Sequence, residues 1–298
     1  MMTEPTANPG NGWQQHGLNW SVGQCATLAC LLEVAAPKPG NVHRGCDFED
    51  MTFVDFVVSA TAIGPVMQAA CDQGVGTTVL RAIQATRQQV SVNTNLGSVL
   101  LLSPLACVPV DQPLESGVSQ VLARLTAEDA RQVYEAIQLA QPGGLGTTDQ
   151  MDVADPPPAD LLAAMQAAAD RDLVARQYVQ GFQQVFQVAV PSLVRGTEAG
   201  WRLTDAILHT QMRLMRDYPD SLIARKCGPD VARRSAELAA RVLDAGQPGD
   251  PAYHRELSDL DFWLRSDAHR RNPGTTADLL AAALFVILRE GLVRPPFA

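Results

Sequence analysis

The segment EVAAPKPGNVHRGCDFED, residues 33 to 50, gathers side chains that suit a phosphorylated ligand. Lys38 stands between two prolines, and it is one of only two lysines in a chain whose other basic residues are arginines. The prolines stiffen the backbone, and Gly40 with Asn41 can turn it toward a ligand. Because a compact ammonium on a stiff loop can act as a point charge on phosphate, the segment predicts one wall of a phosphate site.

A second polar interruption, SVNTNLGS at residues 91 to 98, precedes an apolar helix. Asn93, Thr94 and Asn95 can cap that helix, and Gly97 permits the close approach of a backbone or a phosphate. Helix capping alone explains the stretch equally well. The sequence therefore leaves a capping role and a phosphate-binding role open.

A third candidate is RDYPDSLIARKCGPD, residues 216 to 230, which holds the second lysine. Asp217 and Asp220 precede Arg225 and Lys226. Carboxylates suit a hard cation, and arginine or lysine suits phosphate oxygens, so the run is typical of a metal-plus-phosphate site. It is equally typical of a solvated helix end.

A fourth candidate is RRNPGTTADLL, residues 270 to 280. Asn272 and Gly274 belong to a turn, Thr275 or Thr276 can cap the apolar helix that follows, and Asp278 falls in its first turn. Taken alone, this is an ordinary helix start.

Isolated acids and histidines add weaker candidates. Asp149, Asp152 and Asp155 are spaced by three, but the DPPP sequence prevents a continuous helix, so metal binding is one interpretation of an exposed acidic loop. Of the five histidines, only His43 lies in a candidate loop, and no H-E-x-x-H motif is present. A lone histidine is more often structural than catalytic.

The elements that must position these loops are helices. Apolar residues recur at helical spacing, with helix starts at Ser21, Thr52 and Thr126, and with further helices over roughly 77 to 89 and 96 to 108. The sequence shows no convincing run of alternating strands, no G-x-G-x-x-G, no Walker loop and no internal repeat. We therefore expect an all-α fold: one multi-helix, bundle-like domain whose nucleotide site is formed by interhelical loops.

Length and charge limit the class of protein. The 298 residues fit a flexible tail over residues 1 to 18 and one domain over 19 to 298, with a long irregular loop at 141 to 159. A formal charge of -9 argues against nucleic-acid and membrane-surface binding, which need clustered positive charge. The N-terminal segment lacks the pattern of a signal peptide, and the six cysteines form no C-x-x-C pair, so we expect a cytoplasmic protein.

Taken in order, PKPGNV, NTNLG and DLDFWLRSDAHRRNPGTTADLLAAALF resemble the triphosphoribosyl-dephospho-CoA synthase family over residues 21 to about 290. The resemblance implies transfer of the triphosphoribosyl part of ATP to the ribose 2'-hydroxyl of dephospho-CoA, with release of adenine. The product of that family is the precursor of the prosthetic group on acyl carrier proteins of citrate lyase or malonate decarboxylase. Mg²⁺ is the implied cofactor, because a triphosphate must be neutralised in an acidic protein.

The resemblance and the demands of this reaction suggest a role for each candidate. Glu33 or Asp278 would stabilise the sugar cation or activate the acceptor hydroxyl, and His43 is a third catalytic candidate. The residues expected to bind nucleotide or phosphate are Lys38, Gly40, Asn41, Asn93, Thr94, Asn95, Gly97, Arg225, Lys226, Asn272, Gly274 and Thr275. The residues expected to hold the metal are Asp47, Asp50, Asp217 and Asp220. We also expect Lys38→Ala to lower ATP affinity without unfolding the chain.

Departures from the family pattern keep alternatives open. Members that serve the lyase typically read NTHKG, whereas this chain has Asn95 and Leu96 in place of the histidine and the lysine. His43 stands where those members tend to have aspartate. The alternatives are a related magnesium-dependent enzyme acting on another phosphorylated cofactor precursor, and a non-catalytic helical nucleotide-binding protein. The expected partners are ATP, dephospho-CoA or a similar nucleotide acceptor, and a second copy of the chain in a homodimer.

Overall fold

The computed structural model describes residues 20–143 and 157–297. The predicted N-terminal tail and the acidic trio Asp149, Asp152 and Asp155 lie outside the described residues.

Within these two ranges the regular structure is helical and contains no β-strand, which confirms the predicted all-α fold. The helices are α1 (Val22–Ala35), α2 (Phe53–Gln68), α3 (Ala70–Gln73), α4 (Val75–Arg87), α5 (Leu96–Ala106), α6 (Leu114–Leu122), α7 (Ala127–Ala140), α8 (Leu161–Ala168), α9 (Leu173–Val179), α10 (Val190–Glu198), α11 (Leu203–Asp217), α12 (Ser221–Cys227), α13 (Pro229–Asp244), α14 (Pro251–Arg265) and α15 (Gly274–Arg289). A π-helical segment, Val185–Ala189, leads directly into α10.

The core is centred on α15, whose residues from Leu279 to Leu288 are all buried. A helix that is apolar all round must be surrounded by other elements, and α1, α5 and α11 pack against this one. A second apolar cluster joins α11, α12, α13 and α14. The polar start of α15 contacts α12 of this second cluster, because Ser221 donates a hydrogen bond to Thr275 at 3.0 Å.

Helix starts and crossings follow from local sequence. Ser21, Thr52 and Thr126 each form a complete capping box, as expected for the start of α1, α2 and α7. Helices α1 and α2 cross so closely that a Cβ at Gly23 would lie 2.3 Å from the carbonyl oxygen of Gly64. This close crossing fixes the start of α1 against α2.

Candidate active site

A cavity of about 590 Å³ lies among the ends of several helices. Its polar walls come from the last turns of α1, from the first turns of α5 and α15, and from α12. Its other walls are one face each of α2, α7 and α8 and the start of α9. Two helices thus point their N-termini at the cavity, and the exposed N–H groups and dipole of a helix N-terminus favour anions.

Most of the predicted site residues line this cavity, although they come from four separate segments of the chain. They are Glu33, Asn41, Asp50, Asn93, Thr94, Asn95, Gly97, Arg225, Lys226, Asn272, Gly274, Thr275 and Asp278.

Asp278 is held against the first turn of α5. Ser98 donates a hydrogen bond to Asp278 Oδ1 at 2.8 Å, and a Cβ at Gly97 would lie 2.0 Å from Asp278 Oδ2. Burial raises the pKa of Asp278 to about 8; the Ser98 hydrogen bond opposes this rise, and the negative charge of Glu33 adds to it. At neutral pH this carboxyl group therefore carries a proton that it can donate.

Lys38 lies behind Glu33 and is not part of the cavity lining. Its Nζ is 2.8 Å from Glu33 Oε1 and also donates to the backbone carbonyl of Glu33, near the end of α1. The lysine side chain is 0% exposed, whereas Glu33 lines the cavity. The expected direct contact between Lys38 and phosphate is thus replaced by an ion pair that orients a carboxylate.

The PKPGN loop is braced by α14. Asp261 Oδ1 accepts the backbone N–H of Gly40 at 2.8 Å, and Arg265 donates both to that carboxylate and to the carbonyl of Asn41. Gly40 has a φ of +73°, and a Cβ there would lie 2.8 Å from Leu264. Gly40 therefore shapes the turn and lies outside the cavity lining, although we expected it to bind nucleotide.

A cluster of side-chain amides joins distant motifs at the cavity wall. Asn41 Nδ2 donates to Asn272 Oδ1 at 2.7 Å, and Gln211 Nε2 donates to Asn41 Oδ1 at 3.0 Å. These contacts place PKPGN beside RRNPG, although the two motifs are far apart in sequence.

The four carboxylates expected to hold magnesium are not brought together. Asp47 is exposed and accepts the first N–H of α2, and Asp217 pairs with the neighbouring arginine on the surface. Only Asp50 of this set lines the cavity. Among the residues that the structure describes, no group of three histidine, cysteine, aspartate or glutamate side chains forms a ready metal site.

Asp220 is a structural residue. Its Oδ1 accepts the N–H groups of Leu222 and Ile223, and its Oδ2 accepts the N–H and the hydroxyl of Thr276. Because four donors already use the carboxylate, it caps α12 and ties that helix to the start of α15. The expected metal role does not fit this arrangement.

The cationic side of the cavity carries Arg225 and Lys226, as expected, together with Arg87 and Arg171. Arg225 is paired with Asp172 at 2.5 Å, and Arg87 donates to a backbone carbonyl. For Lys226, the described part of the chain shows no ion pair. The same is true of Arg171, so Lys226 and Arg171 are the cations most available to an incoming phosphate.

His43 lies outside the cavity lining, in a turn closed by paired backbone hydrogen bonds with Cys46. Its Nδ1 accepts the N–H of Gly45 at 3.2 Å, and burial together with the charge of Arg265 lowers its pKa. The structure therefore does not bring this catalytic candidate to Glu33 and Asp278.

Some of the cavity-lining residues were not predicted from the sequence. Phe48 and His269 stack with ring centroids 4.7 Å apart, and His269 Nε2 is 3.6 Å from Asp50 Oδ1. The sequence did not indicate His269 as a site residue, because it lies just outside the candidate loops, three residues before Asn272. The sequence did not indicate Ser98 or Asp172 either, because a serine within a helix and an acid at a helix start are common features.

Fold and site together define an all-α protein whose helix ends enclose a cavity lined by both basic and carboxyl side chains. Residues 19–295 match the family model CitG, described as ATP:dephospho-CoA triphosphoribosyl transferase, and the chain belongs to this family. Membership confirms the resemblance seen in the sequence. It also confirms the predicted class of enzyme, a transferase that uses ATP as a substrate.

Individual relatives agree with the family match. A protein of Malonomonas rubra named 2-(5''-triphosphoribosyl)-3'-dephosphocoenzyme-A synthase is 25% identical over 299 residues, covering 91% of this chain and 88% of its own. The same name is given to a Pseudomonas syringae protein that is 36% identical over 113 residues, a match spanning only 38% of each chain. A crystal structure from Archaeoglobus fulgidus, described as a triphosphoribosyl-dephospho-CoA synthase, has a TM-score of 0.61 and 26% identity, covering 79% of this chain and 99% of that one.

No helix in the described part of the chain combines the length and the apolar character needed to cross a membrane.

Proposed function

We propose that this chain transfers the triphosphoribosyl group of ATP to the ribose 2'-hydroxyl of dephospho-CoA and releases adenine. The observation that carries the proposal is that Glu33 and Asp278 line the same cavity but have different surroundings: Glu33 is paired with Lys38, whereas burial raises the pKa of Asp278. Two carboxyl groups whose environments differ in this way suit acid and base roles in a single reaction.

The protonated Asp278 suits the departing adenine. As the bond between adenine and the ribose C1' of ATP breaks, the electron pair leaves with the base, and Asp278 donates its proton to a ring nitrogen. A carboxyl group with a pKa of about 8 is protonated at neutral pH and still releases its proton readily. Its negative product form then faces the positive charge that develops on the sugar.

Glu33 suits the acceptor. Its carboxylate is fixed by Lys38, and it can stabilise the sugar cation while it takes the proton from the acceptor 2'-hydroxyl. The new bond joins C1' of the transferred sugar to that oxygen. The proton gained by Glu33 and the proton lost by Asp278 balance, so exchange with solvent restores both groups.

The triphosphate suits the positive end of the cavity. Lys226 offers a cation, and Asn93, Thr94 and Gly97 offer polar groups at the N-terminus of α5. Mg²⁺ commonly binds through one or two carboxylates plus substrate phosphates, so the absence of a three-carboxylate cage among the described residues is compatible with an ion that enters with ATP. Asp50 is the cavity carboxylate that would hold it, and bound Mg²⁺ would neutralise phosphate charge.

The decisive experiment incubates the purified chain with ATP, MgCl₂ and dephospho-CoA, and measures free adenine by chromatography. We expect adenine release that requires both substrates and the metal. Adenine release without an acceptor would indicate a hydrolase instead. No release, together with thermal stabilisation by ATP, would indicate a nucleotide-binding protein without turnover.

Three further expectations from the sequence stay predictions. They are a homodimer, a cytoplasmic location and the lack of nucleic-acid binding. The net charge of -9 supports the last of them. Light scattering after size-exclusion chromatography measures the first.

A further inference from the structure

Two neighbouring helices contribute only uncharged side chains to the cavity lining. Helices α7 and α8 contact each other, and each presents one face to the cavity. The residues on these faces recur at spacings of three and four, as expected for one side of a helix. They are Val133, Tyr134, Ile137 and Ala140 on α7, and Leu161, Ala164, Met165, Ala167 and Ala168 on α8. We call the space that they line, together with Leu96 and Leu100 of α5, the apolar chamber.

The apolar chamber is continuous with the polar end of the cavity but differs from it in chemistry. Glu33, Asp278, Arg225 and Lys226 come from α1, α15 and α12, whereas α7 and α8 contribute no charged residue to the lining that the structure describes. A triphosphate or diphosphate would lose its hydration against such a surface without compensation. The chamber therefore does not suit the phosphates of either substrate.

The acceptor contains a part that fits this chemistry. Dephospho-CoA carries a pantetheine arm, which is long, thin and uncharged, and which consists of methyl and methylene groups interrupted by amides. We propose that this arm lies in the apolar chamber and thereby holds the acceptor ribose toward Glu33 and Asp278. The inference rests on the proposed function and assigns to the acceptor a subsite separate from that of ATP.

The side chains of the chamber support a narrow occupant. Ala140, Ala164 and Ala168 leave space where larger apolar residues would fill it. Asn95 does not contribute to this subsite, because its amide donates to Thr86 of α4 and its Oδ1 is closed to solvent.

The first measurement compares two acceptors with the wild-type chain. ADP-ribose retains the adenosine ribose and the diphosphate diester of dephospho-CoA but replaces the arm with a polar sugar. With ATP saturating, we expect the KM for dephospho-CoA to be lower by about tenfold or more, because an apolar site favours the ligand that fills it by at least that factor. Equal KM values would overturn the inference.

The second measurement fills the chamber. Ala164→Leu and Ala168→Leu each add bulk on the cavity face of α8, and Ala163→Leu makes the same change on the same helix outside the cavity lining. We expect the first two variants to raise the KM for dephospho-CoA by about tenfold while changing the KM for ATP by less than about twofold. Ala163→Leu should change neither value, and circular dichroism with thermal unfolding checks that each variant folds.

Failure of the inference is distinguishable from failure of the proposed function. If the wild type releases adenine with dephospho-CoA but the leucine variants keep its KM, the arm binds elsewhere. If no acceptor gives adenine release, the proposed function is wrong, and calorimetric binding of dephospho-CoA and ADP-ribose to the same variants still tests the chamber. Tighter binding of dephospho-CoA that Ala164→Leu abolishes would support the inference, and equal binding would contradict it.

Discussion

Nζ of Lys38 lies 2.8 Å from Oε1 of Glu33, and the lysine is fully buried while the carboxylate lines the cavity. The Pro-Lys-Pro sequence therefore does not present a cation to the ligand. It returns the chain so that the lysine folds back on the end of α1, where it also satisfies a helix-terminal carbonyl. The ion pair with Glu33 offsets the desolvation cost of burying the Lys38 ammonium, and it also fixes the carboxylate of Glu33 at the cavity.

Removing Lys38 should destabilise the protein. We expect Lys38→Met to lower the free energy of unfolding by about 3–5 kcal/mol, because Glu33 would be left as an uncompensated buried charge. This replaces the expectation that Lys38→Ala leaves the fold intact. The double variant Lys38→Met with Glu33→Gln should recover much of the loss, and urea unfolding measures both. A loss below about 1 kcal/mol for Lys38→Met would show that the pair is not coupled in this way.

Removing the carboxyl group of Glu33 or of Asp278 should nearly abolish turnover while leaving ATP binding largely intact. We expect Glu33→Gln and Asp278→Asn each to lower kcat by about 10²- to 10⁴-fold, the usual contribution of a general acid or base. The KM for ATP should change little, since neither group is assigned to the phosphates. Glu49→Gln, an exposed acid outside the cavity lining, is the control. A kcat within twofold of wild type would exclude the residue concerned.

The raised pKa of Asp278 should appear in the pH dependence of stability. Its ordinary value is 3.8 and its value here is about 8, so between these pH values the folded chain holds a proton that the unfolded chain has lost. Its contribution to stability is therefore fully present below about pH 4 and is lost as pH rises toward about 8. Asp278→Asn should flatten this decline in urea unfolding series from pH 5 to pH 9. A parallel decline in both proteins would contradict the assignment.

The sequence predicted the fold and the place of the site better than it predicted the direction of individual side chains. Capping boxes at Ser21 and Thr52 and the apolar pattern of α15 depend on neighbours a few residues away, so they can be read locally. The expected helix over 77 to 89 forms as α4, displaced by two residues, because Gly74 and not Thr77 precedes its first turn. The π-helical segment gave no signal in the sequence.

The side chains that were misplaced depend on partners far along the chain. Lys38 is a residue of the type that binds phosphate, but its ammonium pairs with Glu33 near the end of α1. Asp220 has the type that binds metal, but Thr276, 56 residues away, supplies two of its four donors. Asp278 was a catalytic candidate from the sequence, but its contacts with Gly97 and Ser98 of α5 could not be predicted from its neighbours in the chain. Residue type predicted which loops meet, whereas tertiary packing decides which atoms face the ligand.

The contact between Gly97 and Asp278 predicts a steric effect on catalysis. A Cβ at position 97 would lie 2.0 Å from Asp278 Oδ2, so Gly97→Ala should displace the carboxyl group from Ser98. We expect kcat to fall by about 10²-fold, because a displacement of about 1 Å can cost that much. Gly45→Ala is the matched control, since its nearest neighbour would be 3.4 Å from the new Cβ and it lies outside the cavity lining. Unchanged kcat in Gly97→Ala would remove the steric argument.

Lys226 should be the lysine that binds the phosphates of ATP. It lines the cavity, and the part of the chain that the structure describes gives it no ion pair, whereas Arg225 beside it is engaged by Asp172. We expect Lys226→Ala to raise the KM for ATP by about tenfold, which corresponds to about 1.4 kcal/mol of binding free energy. Lys226→Arg should restore only part of the lost ATP affinity, because arginine keeps the positive charge but lacks the compact ammonium of lysine.

The dependence on salt separates a phosphate contact from a structural role for Lys226. If its ammonium meets phosphate directly, the wild-type KM for ATP should rise with ionic strength more steeply than that of Lys226→Ala, because screening weakens a charge pair that the variant lacks. Arg233→Ala, which removes an exposed cation of α13 outside the cavity lining, should retain the wild-type salt dependence. If the KM for ATP depends equally on salt in wild type and Lys226→Ala, the phosphates do not contact Lys226. Arg225 and Arg171 would then be the cations that bind them.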